Sequence, residues 1–454
     1  MRLKLSEIAE AAGGKLLCGD GNTAVTAFST DSRQVKAGTM FVPIRGEKTD
    51  AHLYIDSVFE NGACATFTDH EIPLREQGVV LVEDCREALQ KAAAHYRAGF
   101  SIPVVGITGS VGKTSAKEMI AQALSGKFHV HKTAGNQNSQ VGVPMTVCGL
   151  QKSHDAAVVE MGVSMPGEMA RIAEVVKPTH AVVTNIGVSH IEYMKTRENI
   201  MAEKLHIADY LPADGLLFVN GDDDLLSTLR GKYPHRVVTF GMGPECDWRG
   251  LEFKQTEKGT FFTCESREGR TEVFVPAVGV HNVRNALASM AVARALGATT
   301  EEAVRAIAAY KAPAMRQQIL EAGGLTVIDD SYNASPDSMR GALEILTSLK
   351  KPGRTFAVLA DMLELGDYAA KGHFEVGEYA AERNVDFVVG IGPLSKEIVA
   401  GYGRNSSAWF SEKEEAIAFL RETLHEGDAV LVKGSRGMKT DEIVSSLLNR
   451  PDGA

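Results

Sequence analysis

The stretch 101–125, SIPVVGITGSVGKTSAKEMIAQALS, constrains this chain more than any other. Val104 to Ile107 is a short apolar run after Pro103, which predicts a buried strand. Gly109, Ser110, Val111, Gly112, Lys113 and Thr114 then turn the chain. Ala116, Met119, Ile120, Ala123 and Leu124 follow at the spacing of one apolar helix face. Strand, glycine-rich turn, Lys-Thr and helix together make a phosphate-binding loop. Its backbone N–H groups converge on phosphate oxygens, and the helix N-terminus adds positive dipole. Gly109 to Ser115 are therefore the candidate ATP-binding residues. Lys113 is placed to meet the β- and γ-phosphates, and Thr114 to offer its hydroxyl to Mg²⁺. Ile107 stands where the usual pattern has its first glycine, and no N-K-x-D guanine motif occurs, so an ordinary GTPase is disfavoured.

A chain of 454 residues is too long for one ordinary core. The net charge of −10 argues against a nucleic-acid partner. Cys18, Cys64, Cys85, Cys148, Cys246 and Cys264 form no C-x-x-C pair and read as reduced packing residues of a cytoplasmic protein. The first residues lack a signal-peptide apolar core, and no run has the length of a membrane span.

The expected architecture is α/β in three domains. Residues 1–100 form a small N-terminal α/β domain, 101–312 a central P-loop ATPase domain with a mostly parallel sheet, and 313–454 a Rossmann-like doubly wound domain. Helices are expected over 5–12, 51–61 and 85–99, and strands over 64–68 and 79–82. Thr30, Asp31, Ser32 and Arg33, with Arg45 and Gly46, read as a polar turn and an edge strand, or else as an anion or sugar pocket.

In the central segment, Ala156 to Glu160 is an apolar strand ending in a carboxylate, and a second, from His180, leads to His190. Ligands sit outside the carboxyl ends of parallel strands, so Glu160 and His190 become candidate metal ligands. Asn136 and Asn138 lie on a polar loop able to reach a substrate. Charge patterning makes Lys204 a solvated lysine on a helix over 197–211. Asn282 and Asn285 open an alanine-rich helix, as caps or as nucleotide contacts. Apolar strands starting at Leu325, Phe356, Phe387 and Ala429 alternate with helical patterns over 337–349, 368–383 and 412–424, which implies a parallel sheet. Its strand ends carry Asp330, Asn333, Lys433, Ser435 and Arg436. No G-x-G-x-x-G follows the first of these strands, so a dinucleotide is not indicated. From the residues alone, a nucleotide-hydrolysing switch and an ATP-spending enzyme both remain open.

Taken together, GITGSVGKTSAKEM at 106–119, VVEMG at 158–162, NIGVSHIE at 185–192, GVHNVRNALAS at 279–289, Arg316 and LVKGSRGMKTDEIV at 431–444 resemble the Mur ligase family of cell-wall peptide ligases. The resemblance covers the whole chain. DDSYNASPDSM at 329–339 and LADMLELG at 359–366 resemble the branch that adds D-alanyl-D-alanine to UDP-N-acetylmuramoyl-tripeptide. The D-N-P motif of the branch adding the third amino acid is missing. The resemblance implies ATP, two Mg²⁺ ions and an acyl-phosphate intermediate in a cytoplasmic monomer. It further implies that Thr114 and Glu160 bind one Mg²⁺, that His190 helps bind a second, and that Lys204 carries a carbamate. Asn282, Asn285, Arg316 and Asp330 would approach ATP. Thr30 to Arg33, Arg45 and Gly46 would hold the UDP-sugar, with Asn136 and Asn138 along its peptide. Asn333, Lys433, Ser435 and Arg436 would surround the dipeptide. The chain departs from the family pattern at Ala51, Ser139, His206 and Ser335.

Overall fold

The computed structural model describes residues 1–46, 49–256, 258–349 and 352–449. Glu47 and Lys48 of the candidate sugar stretch, and 450–454 of the third segment, lie outside the described residues. Three main sheets follow one another along the chain.

The first is five-stranded. Ala27–Ser29, Thr39–Phe41, Ala65–Thr68 and Gly78–Leu81 run parallel, and Lys15–Cys18 closes one edge antiparallel. The helix Cys85–Ala98 begins where the Asp84 carboxylate accepts the Glu87 N–H at 2.8 Å. Its alanine face is narrow enough to lie against helices Gly142–Cys148 and Glu168–Val176, joining the first core to the second. Buried Arg97 on this helix donates to the Val176 carbonyl at 2.9 Å, capping that helix's C-terminal end.

The second sheet has nine strands. Val104–Thr108 lies between Ala156–Glu160 on one side and His180–Val183 on the other, all parallel. Val130–Lys132 flanks the former, and Leu216–Asn220, Arg236–Gly241 and Trp248–Thr256 continue beyond the latter. Gly259–Ser266 and Gly269–Val275 finish the sheet as an antiparallel meander. Alternation along the parallel strands gives each face its own core. Val105, Ile107, Val158 and Val182 pack against helices Lys113–Leu124 and Val280–Ala295. Val104, Ala157, Val159 and Val183 face the opposite layer. The chain leaves the Val104–Thr108 strand on one side and later returns on the other, so a crevice opens at its carboxyl end.

The third sheet has six strands. Val327, Phe356, Val358 and Val430 meet helices Lys413–Thr423 and Asp441–Leu448. Ile328, Ala357, Leu359 and Leu431 meet Pro336–Ser348 and Ala369–Glu382. The sheet is doubly wound as expected, but it is not wholly parallel. Gln318–Ala322 pairs antiparallel with Leu325–Asp330. Gly323 and Gly324, both at positive φ, make the tight hairpin that this reversal needs. The helix expected over 197–211 is also shorter. It runs Arg197–Leu205 and tightens into a 3-10 turn, His206–Ala208.

Candidate active site

The phosphate-binding loop forms as its sequence demands. Gly112, at φ 83°, precedes the helix Lys113–Leu124. Gly109 has φ 148°, and a Cβ there would lie 1.9 Å from Thr184 Oγ1. Both positions therefore require glycine, one for conformation and one also for space. Ser110 N–H donates to the Asn185 carbonyl at 3.0 Å, and Val111 N–H to Asn185 Oδ1 at 2.8 Å. The neighbouring strand end thus braces the loop. Lys113 folds back, donating to the Gly109 carbonyl at 2.7 Å and the Ser110 carbonyl at 3.2 Å. Burial, and secondarily the Arg316 charge, bring its pKa down to about 8 against the pull of Glu160.

Glu160 pairs in register with Ile107, which sets its side chain beside the loop. Its Oε1 accepts from Thr114 Oγ1 at 3.0 Å and from Asn138 Nδ2 at 2.7 Å. Its Oε2 is buried with no hydrogen-bond partner among the described residues. A free carboxylate oxygen beside a threonine hydroxyl at a phosphate loop is a hard-oxygen donor set, and it fits Mg²⁺. Lys117, which the sequence reading passed over, lies fully buried behind Glu160, 3.9 Å from Oε2. It donates to the Thr133 carbonyl at 2.9 Å and pairs with Glu118 at 2.8 Å. The signal was the i+4 spacing from Lys113, which puts Lys117 on the helix face turned to the sheet.

Lys204 is not the solvated lysine of charge patterning. It is 2 % exposed and makes no hydrogen bond or ion pair with another described residue. Burial, with Lys113 adding repulsion, brings its pKa down to about 7. Adjacent Glu203 is tied elsewhere, accepting the Gly167 and Met169 N–H groups at 2.8 and 2.7 Å. His190, at φ 62°, turns toward the third sheet, with Nδ1 2.6 Å from Glu364 Oε2. Glu364, from LADMLELG, is also at positive φ.

Several contacts join the second sheet to the third. Arg316 Nη2 donates to Thr114 Oγ1 at 3.4 Å, and its guanidinium lies 3.8 Å above the Tyr332 ring. Met315 and Gln317 flank it at positive φ, a turn that no residue pattern announced. Asp337 Oδ2 accepts the Val188 N–H at 3.2 Å, and a Cβ on Gly187 would lie 2.1 Å from that oxygen. Between the two sheets lies a cavity of about 310 Å³, lined by Ser115, Asn282, Tyr310, Lys311, Arg316 and Gln317 among others. Asn285 Nδ2, on the same helix as Asn282, is buried with no hydrogen-bond partner among the described residues.

The remaining candidates divide. Buried Lys433 Nζ donates to Asp330 Oδ2 at 2.6 Å and to the Asn333 carbonyl at 2.8 Å, so these three form one cluster. Ser435 Oγ accepts the Leu363 N–H at 2.9 Å. Arg436 pairs with Asp441 at 3.4 Å. Ser335 serves as the N-cap of helix Pro336–Ser348. In the first sheet, Asp31 caps its own turn and holds Arg33 at 2.9 Å. That bond and the backbone N–H push the Asp31 carboxyl well below the usual carboxylate range. Thr30 and Ser32 lie in the same turn, beside exposed Arg33. Arg45 pairs with Asp69 at 2.9 Å, and Gly46 N–H donates to the Thr49 carbonyl. Asn136 is exposed, whereas Asn138 of the same loop donates to Glu160 Oε1 and Thr133 Oγ1 accepts the Glu160 N–H at 2.9 Å.

Comparison with known proteins agrees along the whole chain. The family models described as Mur ligase family, catalytic domain, as Mur ligase middle domain, and as Mur ligase, glutamate ligase domain match residues 24–97, 107–293 and 315–436. The chain is 36% identical over 436 residues to the UDP-N-acetylmuramoyl-tripeptide–D-alanyl-D-alanine ligase of Bacillus subtilis, covering 94% of each. It superposes on crystal structure I of MurF from Acinetobacter baumannii with a TM-score of 0.92, at 28% identity and 99% coverage of both. The MurF ligase from Thermotoga maritima in complex with ADP gives a TM-score of 0.84 at 30% identity, covering 93% of this chain and 97% of that one. With three successive family models and a near full-length relative at this identity, on a scaffold that sets Lys113, Glu160 and Arg316 around one phosphate loop, the chain belongs to the Mur ligase family.

Proposed function

We propose that this chain is the ATP-dependent carboxylate–amine ligase that joins D-alanyl-D-alanine to UDP-N-acetylmuramoyl-tripeptide, giving the pentapeptide precursor of peptidoglycan. The observation that carries the reading is the Thr114 hydroxyl. It is bonded to Glu160 from its own sheet and approached by Arg316 from beyond the domain joint. A P-loop bridged in this way completes its charge set only when the two parts meet. That suits an enzyme which encloses a second substrate.

In this reading 1–100 holds the UDP-sugar through Thr30 to Arg33, Arg45 and Gly46, 101–312 holds ATP, and 313–454 holds the dipeptide near Asn333, Lys433, Ser435 and Arg436. The triphosphate lies over Gly109 to Ser115, and the adenosine in the cavity beside Asn282. The terminal carboxylate of the tripeptide takes the γ-phosphoryl group from ATP. The dipeptide amine then displaces phosphate from the resulting acyl phosphate. A carboxylate is a poor electrophile, and the phosphoryl group gives it a leaving group. Lys113, with its pKa near 8, keeps its positive charge at neutral pH and lies where charge spreads over the transferring group. Arg316, held flat by Tyr332, adds a second cation. Thr114 and Glu160 would hold one Mg²⁺. His190 and a carbamate on Lys204 would serve a second. Bound there, Mg²⁺ supplies charge neutralisation on the phosphate oxygens. Among the described residues no helix is long and apolar enough to cross a membrane. We place the enzyme in the cytoplasm, as a monomer.

The test is phosphate release with ATP, Mg²⁺ and UDP-N-acetylmuramoyl-tripeptide, adding D-alanyl-D-alanine, L-lysine or nothing. Turnover is expected with the dipeptide and little without it. Equal ATPase in all three mixtures would indicate a nucleotide switch. Turnover with L-lysine would assign the chain to the third-residue step.

A further inference from the structure

Lys204 and Glu160 stand on separate elements of the second domain, and one further side chain ties those elements together. Lys204 lies in the last turn of helix Arg197–Leu205. Glu160 ends the strand Ala156–Glu160, and the chain then runs through 161–167 into helix Glu168–Val176. Glu203 joins the two. Its Oε2 accepts the Gly167 N–H at 2.8 Å, and its Oε1 accepts the Met169 N–H at 2.7 Å. Both oxygens are engaged, and the residue is 7 % exposed. Gly167, at φ 80°, makes the turn that brings these two N–H groups onto one carboxylate. The path from Glu160 to this tie has little freedom. Met161 N–H donates to the Ile107 carbonyl and Gly162 N–H to the Asn138 carbonyl, both at 2.8 Å. Ser164 and Met165 N–H donate to Glu168 Oε2 at 2.7 and 3.0 Å. At its other end the Lys204 helix is anchored by Arg197, which donates to the Ile186 carbonyl at 3.0 and 2.8 Å.

A buried carboxylate next in sequence to a buried lysine is a natural counter-ion for it. Glu203 is not used that way, and no ion pair joins it to Lys204 among the described residues. Neighbours on a helix point about 100° apart. The two N–H groups lie at the start of a nine-residue helix, where the dipole also favours a negative charge. The carboxylate is therefore held away from the amine, and the amine keeps its lone pair available. Capping alone does not account for Glu203. Glu168, the first residue of the capped helix, already accepts two N–H groups of the same turn. What Glu203 adds is a link from that turn to the helix that carries Lys204.

We propose that Glu203 is a positioning residue for Lys204: it locks the last turn of the Lys204 helix to the segment leaving Glu160, so that the amine stays unpaired and at a fixed place relative to the Glu160 carboxylate. The proposal rests on the reading of Lys204 given above, in which its nitrogen attacks CO₂, releases one proton to water and becomes an anionic oxygen donor. The experiment uses full-length protein with ADP and ¹³C-bicarbonate. Mn²⁺ binding is titrated by electron paramagnetic resonance, and the carbamate ¹³C resonance is recorded with Mg²⁺. Wild type should bind two Mn²⁺ and show the resonance. Glu203→Gln offers one carbonyl oxygen to two N–H groups. It should weaken the second Mn²⁺ about 10-fold, leave the first within about 2-fold, and diminish the resonance. Gly167→Ala strains the same tie from the other side and should act in the same direction. Glu168→Ala loosens the same turn without touching the Lys204 helix and should change neither readout. In Lys204→Ala, adding Glu203→Gln should weaken the second ion no further. Thermal melting identifies the folded variants. Two intact Mn²⁺ sites in folded Glu203→Gln or Gly167→Ala, equal losses in Glu203→Gln and Glu168→Ala, or a further loss in the Lys204→Ala background would each overturn the proposal while leaving the carbamate reading in place. A wild type with one Mn²⁺ and no resonance would overturn the reading of Lys204 itself, and this proposal with it.

Discussion

Replacing Lys204 by methionine should make the metal-free protein more stable while ending catalysis. Lys204 is buried with no hydrogen-bond or ion-pair partner among the described residues, and its pKa sits near 7 against an ordinary 10.5. The native state therefore releases a proton that the unfolded chain keeps anywhere between those pH values. Unfolding free energy rises with pH across that window, because the unfolded state binds more protons. Below pH 7 the full penalty applies, about 5 kcal/mol from the shift. At pH 7.5 roughly 4 kcal/mol of it remains, and near pH 10.5 it disappears. Methionine has a similar reach and no charge. Its advantage over wild type should be about 2–4 kcal/mol at pH 7.5, once imperfect packing is subtracted. That advantage should shrink steadily toward pH 10.5. Calorimetric and urea midpoints of both proteins, in CO₂-depleted buffer with chelator, give the measurement. The same shift makes the amine a nucleophile. At pH 7.5 about three-quarters of such a side chain is neutral, against about one part in a thousand for an ordinary lysine. Adding ¹³C-bicarbonate should give a carbamate resonance in wild type and none in Lys204→Met. A variant less stable than wild type at pH 7.5, or a difference independent of pH, would refute the argument.

Gly109→Ala should cost far more than Gly112→Ala. Both strain the backbone, by about 1 kcal/mol or more, but only at Gly109 would the new Cβ strike Thr184 Oγ1; equal melting temperatures for the two variants would contradict this. Lys117→Met should destabilise the protein by about 3 kcal/mol, because it leaves buried Glu160 without the ammonium behind it and Glu118 with Lys132 alone. It should also weaken Mn²⁺ binding in the presence of ADP, by much less in a Glu160→Gln background. An undiminished loss in that background would show that Lys117 does not act through Glu160.

The sequence announces features that repeat along a strand or a helix. The phosphate loop, the strand ending at Glu160 and the doubly wound third sheet were legible because period and glycine placement state them locally. What escaped was set by distant partners. Lys204 carries no local sign of burial, since the layers that cover it come from other parts of the chain. The antiparallel edge Gln318–Ala322 has a burial pattern without a fully buried position, so it shows no apolar run. Arg316 entered through family resemblance, but its reach depends on two left-handed residues beside it, Met315 and Gln317, and on the Tyr332 ring beneath. Arg33 illustrates the converse. Its motif is conspicuous, yet its guanidinium is committed to Asp31 within the same exposed turn.

The two positive-φ residues His190 and Glu364 join these observations. Each lies in a conformation that costs a non-glycine residue about 1 kcal/mol or more, and their side chains meet across the joint between the second and third sheets. Val188 and Asp337 meet there too, as do Thr114 and Arg316. All three contacts link a residue near the phosphate loop or its neighbouring strand end to one from the third segment. None is apolar. Polar contacts between partly exposed groups form and break at little net cost, whereas an apolar interface of similar extent would hold the two parts together. Apolar packing across the joint comes instead from Val278, which lies in the core of the third sheet, so the polar pairs are concentrated at the phosphate loop and its neighbouring strand end.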